Sequence, residues 1–587
     1  MLRNRRTAGW AAVAAISSVV IAACGGSSSG GGGNGSGNGN GTPISSNADT
    51  YNSGTAQQGG TFTYTLEKNI ENWNIDSAEG NTFETAEVLN SIYPAVFNDQ
   101  PDTSNVALNT AMVTSATETS TNPETIVYKI NPKAVWSDGV PITYKDFQYA
   151  WQTQDTGPNN PSGHCPKCAI AGNAGYDQIK SITGSDGGKT ATVVFNTPFG
   201  DWKSLFGAGY GLMPEHIAAQ HGSLESSFNG YFSTTVPKVS GGPFIIQSFK
   251  SNQAVTLVPN PKYYGPAPHL DKLIFRIITD ATAEPTALQN HEVDAIYPQP
   301  ELDLVDQIKA LAGQGVKYQL DLGLDWEHFD FNLHNKFLAQ LPLRQALFTA
   351  VDLQAIIDRT VGQFDPNVGV LNNRFLMPDQ AGYQDDVTST GIGSGDVTAA
   401  KKILTDAGYT GVGTKLVDPK LGPVPALTMK YTVGNSIRQT ECELFAQDAK
   451  ALGVTVNVSS TDDLGASLTH ADPQHDYDVI VFAWVGTPFF ASGSASNYNT
   501  GGGNNFGGYS NPLVDKLMKE AVSSSDRATQ VADVNKVDLQ LSKDAYTLPL
   551  YQKPTFLAYY DKWVNIRDNA TNQGPAYNAG EWGLASS

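Results

Sequence analysis

Apolar and polar residues along this chain switch between two rhythms, one of period two and one near 3.6. Thr61-Phe62-Thr63-Tyr64-Thr65-Leu66 alternates and predicts a strand. Thr82 or Asn81 offers an N-cap for a helix reaching Leu89 or Ile92. Ile126 to Ile130 reads as a strand and Trp136-Ser137-Asp138-Gly139 as a turn. Thr143, with Asp146 three residues on, resembles a capping box for a helix carrying Tyr144, Phe147 and Trp151 on one face. Ile179 to Thr183 and Thr190 to Phe195 predict a hairpin.

Two strand–helix–strand units follow. The first has a strand at Leu273 to Ile278, a helix at Ala281 to Asn290 and a strand at Val293 to Tyr297. The second has a strand at Leu427 to Val433, a helix at Ile437 to Leu452 stopped by Gly453, and a strand at Val454 to Val458. Leu444, Phe445, Ala449 and Leu452 form the apolar stripe of that helix. Such alternation predicts parallel pairing through right-handed crossovers. Val479 to Val485 is apolar almost throughout, as a strand buried on both faces would be. Gly486 and Pro488 end it, which leaves Trp484, Gly486 and Thr487 at the carboxyl end of a strand, where open α/β sheets bind ligands. A buried strand with an ordinary turn fits the same residues.

At 587 residues the chain is too long for one core, so two to four domains are expected. Lys plus Arg number 37 against 57 Asp plus Glu, a net charge of −20, which argues against nucleic acid or an anionic membrane surface as the main partner. The N-terminus changes the picture more. Arg3, Arg5 and Arg6 precede an apolar run from Ala8 to Ile21, too short for a confident membrane span, and Ile21-Ala22-Ala23-Cys24 resembles a bacterial lipobox. Residues 1–23 read as a signal peptide and Cys24 as the lipidated mature N-terminus. Residues 24–59 then form a tether whose Gly/Ser/Asn-rich part would span roughly 20–25 Å as a random coil.

Motifs for catalysis are weak. Gly26-Ser27-Ser28-Ser29-Gly30 matches a hydrolase elbow formally but lies in the tether with no strand before it. Gly188-Lys189-Thr190 imitates a phosphate loop, yet the required first glycine falls at Thr183 and a strand follows. No H-E-x-x-H occurs, and neither enzyme chemistry, metal nor cofactor is expected. His164-Cys165-Pro166-Lys167-Cys168 admits half a zinc site, a redox pair or a small disulfide. A disulfide between Cys165 and Cys168 is favoured outside the cytoplasm, with Cys442 a buried free thiol.

Several segments together resemble the family 5 extracellular solute-binding proteins, the peptide- and nickel-binding components of ABC importers. They are Tyr128-Lys129-Ile130-Asn131-Pro132 with Trp136 to Thr143; Gly241-Gly242-Pro243-Phe244 with Asn260-Pro261-Lys262-Tyr263-Tyr264-Gly265; and Leu270 to Arg276 with Ala287-Leu288-Gln289. Phe331-Asn332-Leu333 with Leu343-Arg344-Gln345-Ala346-Leu347, Asn511-Pro512, and Leu548-Pro549-Leu550-Tyr551 complete the set, in family order. The resemblance implies an α/β, two-lobed periplasmic-binding-protein-like fold of the large class, with an extra subdomain and a hinge. Lobe one is expected at 60–325 plus 540–587, with an inserted subdomain at about 99–234, and lobe two at 326–539.

The implied function is a lipid-anchored, monomeric binding protein on the outer face of the cell membrane. It would capture peptides or peptide-like solutes and deliver them to a permease driven by an ATPase. The chain also resembles actinobacterial lipoproteins of this family linked to cell-envelope glycolipid assembly, a non-transport alternative. The cleft candidates are Trp484, Gly486, Thr487, Asn332 and Trp73, each of which fits core or loop packing when judged singly. Peptide-binding members carry, three positions after the Trp, an Asp that pairs with the peptide N-terminus. Thr487 stands there in this chain, so either another carboxylate serves, Glu84 and Asp76 being conceivable, or the ligand has no free amine there.

Overall fold

The computed structural model describes residues 50–207, 210–469, 471 and 476–586. The expected signal peptide, Cys24 and most of the expected tether lie outside the described residues. The strands used below are β1 (Thr61–Leu66), β2 (Val113–Thr121), β3 (Glu124–Ile130), β4 (Ile179–Ser185), β5 (Thr190–Phe195), β6 (Phe244–Lys250) and β7 (Ala254–Pro259). They continue with β8 (Lys272–Ile277), β9 (Ala295–Ile296), β10 (Val316–Phe331), β11 (Leu427–Thr432), β12 (Val456–Thr461), β13 (Val479–Val485) and β14 (Thr547–Tyr560). The helices are α1 (Phe83–Leu89), α2 (Tyr144–Gln154), α3 (Glu284–Gln289), α4 (Ser436–Ala451), α5 (Phe490–Tyr498), α6 (Pro512–Ser523) and α7 (Arg527–Asp544).

One ten-stranded sheet organises the two lobes, in the order β12-β11-β13-β10-β14-β9-β1-β8-β7-β6. Strands β10 and β14 pair antiparallel at its centre and belong to both halves. At about 3.3 Å per residue, β10 extends roughly 50 Å. Its ladder with β14 is regular from Val316 to Leu322, breaks, and resumes at Trp326. Beyond the break, β10 also pairs with β13, Asp325 opposite Val485 through Phe331 opposite Val479. Before it, β14 is flanked by β9 through Ala295 and Ile296. The predicted parallel pairing holds for β11 and β12. The outer unit differs: β8 and β9 are both parallel to β1, which lies between them, so the two are not neighbours.

Local chemistry explains the element ends. The capping box at α2 closes with Thr143 N–H donating to Asp146 at 2.8 Å and Lys145 N–H donating to Thr143 at 3.3 Å. Thr82 caps α1 by accepting from Thr85 N–H, and Asn435 caps α4 by accepting from Arg438 N–H. Gly453, at φ +88°, takes the left-handed conformation that stops α4. The helix expected from Ala281 begins as a 3₁₀ turn, because Asp280 accepts the Thr282 N–H, and becomes α-helical only at Glu284.

A separate antiparallel sheet, β2-β3-β5-β4, forms a second layer with α2. Phe147 and Trp151 of α2 are buried, and Phe147 packs on Tyr128 of β3. Cys165 and Cys168 are joined in a disulfide, Cα to Cα 5.4 Å, and Cys442 is a buried free thiol. Among the described residues, no helix is long and apolar enough to cross a membrane.

Candidate functional site

The carboxyl ends of the strands converge where β10 and β14 break register. β1 runs out into Glu67, β9 into Tyr297 and Gln299, β11 into the Asn435 cap of α4, and β13 into Gly486 and Thr487. Two small crevices open there. One is lined by Thr65, Glu67, Phe83, Glu84, Tyr297 and Gln299. The other is lined by Gln299, Glu327, Asn435, Arg438, Tyr551 and Lys553, with Val361, Ile437 and Pro554 as apolar wall. Gln299 belongs to both, so the crevices meet at the end of β9.

The second crevice has a buried ionic floor. Arg438 Nε donates to Glu327 Oε1 at 2.6 Å and Nη1 donates to Thr432 Oγ1 at 3.0 Å, with Arg438 and Glu327 both 1% exposed. Burial opposes the charge on Glu327, but Arg438, helped by Lys553, outweighs it and holds the carboxyl below its usual range. Glu441, one turn along α4, accepts the Tyr551 hydroxyl; burial and the charge of Glu327 push its carboxyl up to about 8. Lys553 donates to Gln299 Oε1 at 2.6 Å, and burial pulls its ammonium below the usual range.

The first crevice is acidic. Burial and the neighbouring Glu84 push Glu67 up to about 7. Glu84 is 5% exposed and burial raises its carboxyl; the influences that oppose this are Lys68, an exposed side chain, and its own backbone N–H. Glu284 accepts the Thr65 hydroxyl at 3.0 Å, and burial together with Glu67 raises it well above the usual range. The rings of Phe83 and Tyr297 stack at 5.7 Å on the same crevice.

The residues singled out from sequence separate in space. Trp484 is 5% exposed, its indole nearly parallel to His328 at 5.7 Å and to Phe506 at 6.3 Å. Gly486 donates its N–H to Leu324 O at 3.0 Å inside the break of β10, and a Cβ there would stand 2.6 Å from that oxygen. Thr487 is half-buried, and its hydroxyl accepts the Phe489 N–H at 3.2 Å. These three therefore share one strand end. Asn332 is fully buried and holds its own loop, its amide donating to Ala471 O and Tyr477 O at 2.9 Å and its oxygen accepting the His334 N–H. Trp73 is 3% exposed and packs edge-on against Phe249, away from the β13 end. Glu327, Arg438, Lys553 and Gln299 escaped the sequence reading. Arg438 and Lys553 carried a signal, a lone cation beside apolar positions of a helix and of a strand.

The antiparallel-sheet layer reaches across to the helices that follow β13. Asp201, 4% exposed, accepts the Ser492 N–H at 3.0 Å and the Gln530 side-chain amide at 2.8 Å. Gly200 N–H donates to Val522 O at 2.9 Å, and a Cβ on Gly200 would lie 1.7 Å from Ser524 O. Arg527 stacks over Phe490 at 3.9 Å and donates to Pro488 O. Gln380 donates to Thr103 O at 3.2 Å, a further bridge between the same bodies.

Two α/β lobes sharing crossing strands, with strand ends gathered on a crevice, are the architecture of a solute-binding protein. The sequence profile of the bacterial extracellular solute-binding proteins, family 5, matches residues 107–506, and the chain belongs to that family. It is 28% identical over 519 residues to the oligopeptide-binding protein OppA of Mycobacterium tuberculosis, covering 87% of this chain and 83% of the relative. Among solved structures, it superposes on the periplasmic EDTA-binding protein EppA with a TM-score of 0.87 at 36% identity, over 92% of this chain and 99% of that one. The oligopeptide-binding protein AppA of Bacillus subtilis, in complex with a nonapeptide, shares the fold at a TM-score of 0.74 and 21% identity, over 91% and 100% of the two chains.

Proposed function

We propose that this protein is a lipid-anchored, monomeric receptor that captures peptides or peptide-like solutes between its lobes and delivers them to an ABC permease and its ATPase. The observation that carries the reading is the meeting of strand ends at Gln299, where a polar crevice joins one of mixed polar and apolar lining. The OppA relative, similar along most of its length, supports a peptide-like cargo. The lipobox ending at Cys24 and the tether after it support anchoring outside the membrane. The lobes meet, in this reading, where β10 and β14 lose register, near residues 323–326 and 552–554. In this reading lobe one is 60–325 plus 540–587 and lobe two 326–539, and the loss of register after Leu322 supports the first boundary.

Native mass spectrometry of the full-length protein, purified from its own cells and then denatured to release bound molecules, tests this. Peptides or amino-acid derivatives at near one per protein are expected. A glycolipid in their place would contradict the transport reading in favour of an envelope role.

A further inference from the structure

The acidic crevice at the end of β1 has features that a merely structural carboxyl cluster does not require. Glu84 is 5% exposed, and among the described residues no side chain donates a hydrogen bond to its carboxyl, which has only its own backbone N–H. A carboxyl this deep ordinarily has a fuller set of donors, because desolvating it without them is costly. Glu284, fully buried, has the Thr65 hydroxyl. Glu327 has Arg438. Glu84 instead lines open space, with Glu67 on the same wall and the stacked rings of Phe83 and Tyr297 completing it. Carboxylates beside aromatic faces are a setting for an ammonium or guanidinium group, which gains charge-assisted hydrogen bonds from the first and ring attraction from the second. Across the cleft, the end of β13 carries no acid, and the Thr487 hydroxyl already accepts the Phe489 N–H.

We propose that this crevice is a cation subsite in lobe one, in which Glu84, with Glu67 beside it, takes a positively charged amino or guanidinium group of the captured solute. The inference rests on the peptide-binding reading above and adds to it the end of the ligand that is recognised. The cation comes from either a free peptide N-terminus or a Lys or Arg side chain, two sources with the same chemistry.

Equilibrium dialysis of the full-length protein against three pools of random tripeptides, read by mass spectrometry, tests the subsite. One pool has free N-termini and lacks Lys and Arg, one is N-acetylated and contains them, and one is N-acetylated and lacks them. At least tenfold stronger retention of either cation-bearing pool over the uncharged pool is expected, and the pool that is favoured names the source. In Glu84→Gln, folded as judged by its melting temperature, the preference should fall to threefold or less. If that variant does not fold, the wild-type preference decides, with Glu67→Gln as the second variant. Equal retention of all three pools, or an unchanged preference in folded Glu84→Gln, overturns the subsite and leaves the peptide reading standing. Retention of none of them overturns the peptide reading itself, and the subsite with it.

Discussion

The Asp201 carboxylate accepts the Ser492 backbone N–H at 3.0 Å although the residues stand 291 positions apart. The contact joins the antiparallel-sheet layer to the first turn of α5, the helix that follows the β13 strand end. With the Gln530 amide on its other oxygen, Asp201 is a buried acceptor with two donors from the opposite body. Asp201 thus bridges the two bodies in this structure, and a hinge opening between them would have to break both bonds.

Replacing Asp201 by Ala is expected to favour the open form, leaving the Ser492 and Gln530 donors without their acceptor at a cost of about 1–3 kcal/mol. A ligand that binds the closed form then loses affinity by roughly tenfold or more, since each 1.4 kcal/mol is a factor of ten. Asp201→Asn retains one acceptor oxygen and should fall between. Calorimetric titration with the co-purified ligand measures this, and equal affinities in all three proteins would contradict it.

The buried ion pair gives a second outcome. Arg438→Met removes the main partner of the buried Glu327 and leaves only the weaker influence of Lys553, which is expected to cost about 3–5 kcal/mol in denaturant unfolding. The double variant with Glu327→Leu should recover most of that loss. A double variant as unstable as the single one would show that the pair is not what holds this region.

Glu441 sets a pH dependence whose sign is fixed by its environment. Its carboxyl rises from an ordinary 4.5 to about 8 in the fold, so the folded state holds the proton more tightly than the unfolded one. The stability this contributes is complete below 4.5 and drains away as pH climbs to about 8. Glu67, Asp76 and Asp99, each raised to about 7, act in the same direction. Comparison with Glu441→Gln therefore isolates one group: the fall in melting temperature from pH 5 to pH 8 should be shallower in the variant. Parallel curves would contradict the assignment.

Asn332 should separate folding from binding. Asn332 is fully buried and its side chain makes three hydrogen bonds to backbone groups, so Asn332→Ala is expected to destabilise by about 2–4 kcal/mol. Ligand affinity, measured well below the melting temperature, should change less than threefold. A large affinity loss with unchanged stability would move Asn332 into the ligand's own contacts.

The sequence revealed short elements better than long ones. β1, α2 and β13 were legible because period, caps and turn residues agreed. The two crossing strands were not. β14 contains Pro549 and Pro554, which argue against a central strand, and both stand beside the places where its ladder with β10 shifts register. β10 interleaves acids with apolar residues, from Asp321 to Asp330, and reads as half-exposed, yet that stretch is buried between the lobes. Trp484, Gly486 and Thr487 lie together at the end of β13, as the strand pattern implied, but none of them lines the two crevices. The site was hidden at Glu67, Gln299 and Lys553, because those residues meet through a sheet order in which β14 and β9 are neighbours despite about 250 intervening residues. Asn332 and Trp73 carried no signal to distinguish a buried loop clamp or a core ring from a ligand contact.

Small-angle X-ray scattering tests the central claim, capture of a solute by closure of two lobes about the register break, most directly. Full-length protein stripped of ligand by partial unfolding and refolding is compared with the same protein saturated with its co-purified ligand. A smaller radius of gyration and a scattering profile matching the closed structure are expected only for the saturated sample, with Asp201→Ala remaining more open at the same ligand concentration. Superimposable profiles with and without a ligand shown to be bound would contradict closure.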